Sequence, residues 1–176
     1  MRISRLVKKA YGFFAWKLYK MTAKKSVMPT LKFYDTPHMT KYHHIVSALR
    51  YVAVEEYYGK NDFGMTLYKT ANRWENEKAL QEDLDRFYAL IQSIEKNGYD
   101  MNSSICVDLD GNCFNGTHRL ALCVWFGVKE MPVMTIKRHL KTETIAQMKE
   151  YYRLSDEDYQ RLEGAYQRMR EKLSEN

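Results

Sequence analysis

The chain lacks the cysteine content for a disulfide framework or a thiolate metal site. Cys106, Cys113 and Cys123 are an odd set without metal-ligand spacing, so buried thiols in a reducing compartment are expected. The apolar residues near the start form a run too short to span a membrane, and no small-residue cleavage site follows them. That pattern argues against a signal peptide. Internal repeats, low-complexity tracts and Gly/Ser linkers are missing as well. Acidic residues are missing from the first 34 positions, which hold nine of the 28 Lys and Arg residues. The remainder carries 19 basic against 22 acidic residues, a balance of −3. The net charge of +6 therefore belongs to an N-terminal arm, and it does not mark the rest as a nucleic-acid-binding domain.

What is present is ordinary for a soluble globular protein. With 176 residues, 45% of them apolar and 28% charged, one domain with a real core is expected, with or without helical attachments. In the arm, Ile3, Leu6, Val7, Ala10, Tyr11, Phe14, Leu18 and Met21 recur at helical spacing. Lysines and arginines from Arg2 to Lys25 occupy much of the other surface. The expected basic amphipathic helix over residues 1–26, with Phe13, Phe14 and Trp16, suits an anionic membrane surface or an acidic protein reached through residues 1–25. A helix packed on its own domain, with a solvated basic face, has the same pattern.

Further along, Val27 to Phe33 reads as a short strand. Thr36-Pro37 opens a helix that runs through Ile45, Leu49, Val52 and Tyr57 to Gly59. His43 and His44 are adjacent and face different sides, with no acid at ligand spacing, so they read as structural or surface residues and no metal site is expected. His38, at the helix start, is the better functional candidate. Residues 59–80, including Trp74, have weak periodicity and read as a long loop or irregular helix. Leu84, Phe87, Leu90, Ile91 and Ile94 define an amphipathic helix that stops at Gly98. Pro132 to Ile136 reads as a strand. Helices follow at about 142–152 and 156–173, the second opening on Ser155 and Asp158 as a capping box.

The most informative stretch lies between these elements. Ser104 to Asp108 reads as a buried strand, Asp110-Gly111 as a tight turn, and Cys113-Phe114 as a second short strand. Asn115-Gly116-Thr117-His118-Arg119 then leads into an apolar helix, Leu120 to Phe126, stopped by Gly127. Thr117 reads as the N-cap, and free N–H groups at Thr117, His118 and Arg119 make an anion nest. A well-capped turn whose arginine pairs with a carboxylate is the plain alternative. Asp108 and Asp110 have the spacing of paired metal carboxylates, but a turn explains them better.

The run LIQSIEKNGYDMNSSICVDLDGNCFNGTHRLALCVWFGVKEMPVMTI resembles the ParB/sulfiredoxin-like superfamily in its order of helix, strand, Asp-Gly turn, Gly-x-x-Arg, helix and Pro-Val strand. Asp35-Thr36-Pro37-His38 is similar to ParB-like proteins of bacterial surface-polysaccharide gene clusters. The resemblance implies an α/β (α+β) fold: a small mixed sheet with helices over residues 27–140, a helical N-terminal addition at 1–26 and C-terminal helices at 141–176. It also implies that Asn115, Gly116, Thr117, His118 and Arg119 bind nucleotide phosphates, with ATP, ADP or CTP and Mg2+ as cofactors. Thr117 stands where sulfiredoxin has its cysteine, which argues against that chemistry. The short acidic tail bears no helix-turn-helix, so sequence-specific DNA binding is not expected.

The expectation is a cytoplasmic nucleotide-binding protein, held at the inner membrane surface if the arm binds lipid. It would be a phosphotransferase or nucleotide hydrolase acting on a small molecule, with Asp35 and His38 as candidate bases and Glu55 and Glu56 as fallbacks. A catalytically silent nucleotide-sensing or scaffolding module is the alternative.

Overall fold

The computed structural model describes residues 23–36, 44–72, 76–139 and 144–175. The amphipathic arm through residue 22, His38, His43 and Trp74 all lie outside them. Among the described residues the fold is mixed α/β, with seven helices and one four-stranded sheet.

The strands are β1 (Lys24–Pro29), β2 (Ile105–Val107), β3 (Cys113–Asn115) and β4 (Glu130–Thr135), in sheet order β1-β4-β2-β3. β1 runs antiparallel to β4, β4 parallel to β2, and β2 antiparallel to β3. A parallel pair needs a crossover. Here the chain leaves β2 through the β3 hairpin and returns to β4 through a helix. The hairpin turn is built by Asp108, whose Oδ1 accepts the N–H groups of Asp110 (2.9 Å) and Asn112 (2.8 Å). This is the turn expected from Asp110-Gly111.

The helices are α1 (Thr30–Tyr34), α2 (His44–Tyr57), α3 (Gly64–Ala71), α4 (Glu77–Asn97), α5 (Thr117–Trp125), α6 (Ile145–Tyr152) and α7 (Asp156–Ser174). Every residue of α2 from His44 to Glu55 is buried. A helix buried on all sides is a core helix, and α2 packs against α3, α5 and α7. Buried Leu162, Ala165, Tyr166, Met169 and Leu173 tie α7 into the same core, so the C-terminal helix is part of the fold and not an appendage.

Two local expectations are corrected. The strand placed at Val27 to Phe33 lies at Lys24–Pro29, so Lys24, Lys25 and Ser26 belong to the sheet and not to the arm helix. It ends where Pro29 gives way to Thr30, whose N–H and hydroxyl bond the carbonyls of Lys129 (2.8 Å) and Val128 (2.5 Å) and start α1. Within residues 59–80, Gly64–Ala71 is a regular helix. Asn61 Oδ1 accepts the N–H groups of Phe63 and Gly64, and Glu56 Oε2 accepts that of Met65, replacing the missing helical partners at its start. The helix expected from Thr36-Pro37 to Gly59 is described over His44–Tyr57, and its expected start at Pro37 lies outside the described residues. By contrast, the capping box at Ser155 and Asp158 is present as expected.

Candidate functional site

A cavity of about 430 Å³ opens beside the start of α5. Its floor follows from strand register. Lys25 of β1 stands opposite Met134 of β4, Met134 opposite Cys106 of β2, and Cys106 opposite Asn115 of β3. Residues opposite one another in a sheet share a face. All four line the cavity, together with Asn102, Ser103, Ser104 and Arg119. Asp100 organises the adjoining loop, accepting hydrogen bonds from the Asn102 backbone (2.9 Å) and the Ser103 hydroxyl (2.8 Å).

Gly116 joins β3 to α5 at φ +99°, a left-handed conformation that favours glycine. A Cβ there would lie 3.2 Å from Arg119 Nη2 and 3.3 Å from the Ile105 Cα, so the residue is fixed by both conformation and space. Gly116, and not Thr117, is the N-cap: its carbonyl accepts the Leu120 N–H at 2.8 Å, and Thr117 is already helical. The helix start therefore has no side-chain cap and no acid in its first turn. In contrast, α4, α6 and α7 are capped by Asn76, Thr144 and Ser155. Uncapped N–H groups at the positive end of a helix dipole are free to meet an anion.

Arg119 has a single close polar contact, Nη2 donating to Asn115 Oδ1 at 3.4 Å, and forms no ion pair among the described residues. Among the described residues no carboxylate stands within ion-pairing distance of it, and Asp100 feels its charge only from further away. Lys25 adds a second cation to the cavity. Its place was not legible as a site residue, because a run of basic residues reads as one solvated face.

His118 lies elsewhere. Its Nε2 is 2.6 Å from the Tyr68 hydroxyl, and its ring packs 4.5 Å from that of Phe87. Burial, and after it the charge of Arg50, pushes its pKa down to about 3. The imidazole is neutral at pH 7 and adds no positive charge to the nest as it stands.

The candidate bases are also occupied. Asp35 pairs with Arg170 of α7, which also donates to the Tyr34 carbonyl at 3.1 Å, and Asp35 is not among the cavity residues. Glu55 holds Arg168 through two bonds of 2.9 and 2.7 Å. Glu56 is committed to the start of α3. His44 is buried and bonds Glu163 at 2.6 Å, the structural role expected of it. His38 lies outside the described residues. Asp110, considered for metal binding with Asp108, bonds His139 at 2.6 Å.

All three cysteines are buried and outside any disulfide, and burial pushes the thiols of Cys113 and Cys123 up to about 12. Protonated, enclosed thiols are poor nucleophiles. Among the described residues no group of three or more His, Cys, Asp or Glu is placed to hold a metal ion. Among the described residues the cavity offers amide and hydroxyl oxygens but no carboxylate, and these do not make a Mg2+ site held by the protein. No helix among the described residues is long and apolar enough to cross a membrane.

A scan against family models finds no match to this chain. Searches of curated proteins and of solved structures find none either.

Proposed function

We propose that this chain is a nucleotide-binding protein of the ParB/sulfiredoxin-like type, which takes nucleotide phosphates at the start of α5. One observation carries the reading: the uncapped N-terminus of α5 adjoins one polar cavity lined by two cations, Arg119 and Lys25, that form no ion pair among the described residues. Backbone N–H groups of Thr117, His118 and Arg119 would meet phosphate oxygens, the Arg119 fork would bind two of them, and Lys25 would act as a point charge. Asn115 would hold the fork in place. A cavity of about 430 Å³ is within the usual size of a small-molecule site. In a phosphotransferase or nucleotide hydrolase acting on a small molecule, these groups would stabilise charge on the transferring phosphoryl group. ATP, ADP and CTP are the nucleotides to test, and any Mg2+ would ride on their phosphates.

A second reading, a nucleotide-sensing or scaffolding module without turnover, is favoured by the cavity lining, which among the described residues contains no carboxylate and no histidine. Both readings predict that millimolar ATP, ADP or CTP with Mg2+ raises the melting temperature, by mass action on the folded state. A flat response to all three sinks both. A shift without product formation, with hydroxyl acceptors supplied, selects the module.

The same proposal places the protein in the cytoplasm, with the basic arm on an anionic membrane or an acidic protein. Because Lys24 and Lys25 belong to β1, the deletion that tests the arm removes residues 1–22 only. It is expected to abolish sedimentation with phosphatidylserine vesicles at low salt while leaving nucleotide binding intact. Equal sedimentation of both forms would dismiss the arm as an anchor.

A further inference from the structure

Arg50 is anomalous. It sits inside α2 at 8% exposure, yet forms no ion pair among the described residues. Nη1 donates to the Val46 carbonyl at 3.1 Å and Nη2 to Asn72 Oδ1 at 3.3 Å, while Nε is buried with no partner. A guanidinium has five N–H donors and is never neutral in a protein. Burying one without a counter-charge is expensive, and such a group calls for an explanation beyond packing.

The surroundings make the anomaly sharper. The guanidinium lies over the Tyr68 ring, 5.7 Å from its centroid. Tyr68 gives its hydroxyl proton to Asp83 Oδ2 at 2.6 Å and meets His118 Nε2 at 2.6 Å. Since the tyrosine proton is spent on Asp83, Nε2 must carry a proton and donate to the tyrosine oxygen. That fixes the tautomer and leaves Nδ1 a bare lone pair. Among the described residues the carboxylate that acts on this histidine is Asp83, and its oxygens are taken by Tyr68 and Arg86 (3.3 Å). Three guanidiniums, Arg50, Arg86 and Arg119, act on it from α2, α4 and α5. The corner is cationic, low in dielectric and placed at the first turn of α5.

We infer that Arg50 and His118 form a second anion subsite at the first turn of α5, which takes a phosphoryl oxygen of the ligand and a proton with it. This rests on the phosphate reading of the α5 start, and it assigns that ligand at least two anionic groups. The proton follows from the tautomer. A lone pair at Nδ1 repels an oxyanion, so an oxyanion can bond there only once Nδ1 is protonated. The incoming charge makes that protonation favourable, against the three guanidiniums that now oppose it. Affinity should therefore rise as pH falls, and binding should take up a proton.

Inorganic pyrophosphate is the probe, with malonate as the carboxylate arm. In the wild type, the His118 ring resonance should stay neutral through pH 5–8 without ligand and become titratable within that range with saturating pyrophosphate. Calorimetry in buffers of different ionisation enthalpy should register the proton. Arg50→Met should lower pyrophosphate affinity at least tenfold while keeping or raising the melting temperature, since it removes an uncompensated charge. Arg50→Lys, which keeps the charge, should retain part of the affinity. Equal tightening by malonate would make the subsite one for carboxylates and overturn the phosphoryl assignment. Wild-type affinity in Arg50→Met, or a His118 resonance indifferent to pyrophosphate, would overturn the subsite. If Arg119→Ala still abolishes binding in that case, the cavity reading survives alone. No binding of pyrophosphate or nucleotide by the wild type removes both.

Discussion

Gly64→Ala is expected to prevent folding. A Cβ at Gly64 would lie 1.9 Å from the Val52 carbonyl oxygen, 2.3 Å from its carbon and 2.9 Å from the Ala53 nitrogen. All three atoms are backbone of the buried helix α2, so no side chain can rotate out of the way. Relief requires α3 to move off α2, which would expose Met65, Leu67 and Tyr68 and break the Asn61 and Glu56 bonds at the α3 start. A loss beyond about 4 kcal/mol is expected for such a core clash. That is most of the stability of a domain this size, about 5–15 kcal/mol. Soluble yield and urea denaturation measure it. A Gly64→Ala protein that unfolds within about 1 kcal/mol of the wild type would mean that α3 does not pack this closely.

Arg119→Ala is expected to leave the fold intact and weaken nucleotide binding about 10- to 100-fold, the range of one or two charge-assisted hydrogen bonds. The separation of the two effects is the informative part. In the free protein Arg119 contributes a single long contact with Asn115, so its loss should move stability by no more than about 0.5 kcal/mol. Arg119→Lys keeps the charge without the planar fork and should fall between the two. Titration calorimetry with ATP, ADP and CTP, paired with thermal melts, gives both numbers. Collapse of the melting temperature would make Arg119 a structural residue. Unchanged affinity would move the phosphate away from the α5 start.

The central unit was legible because its signals are short-range. Asp110-Gly111 forces a turn, and Gly116 and Gly127 bracket one helix, so β2, β3 and α5 lie where the sequence places them. The site around it was less legible because it is built by long-range pairing. Lys25 reaches the cavity through the β1–β4 register, which no local pattern encodes. Arg50 sits in an apolar helix buried all round, where helical periodicity cannot say which side faces a ligand. The α3 helix was missed since its start is capped by side chains of the preceding loop and of α2, not by a motif of its own. The surroundings of His118 could not be read from its identity. Only its neighbours Tyr68, Phe87 and Arg50 show that the ring is held neutral.

The row Lys25, Met134, Cys106, Asn115 also bears on the order of assembly. Cys106 and Asn115 meet across a hairpin, while Lys25 and Met134 are 109 residues apart along the chain. Loop-closure entropy makes the first contact cheap and early, and the second slow. The half of the cavity that holds Arg119 can thus form before β1 docks, and Lys25 arrives with the final closure of the sheet. A ligand that needs both cations would bind weakly to any partly folded chain. Its grip would be a readout of completed folding.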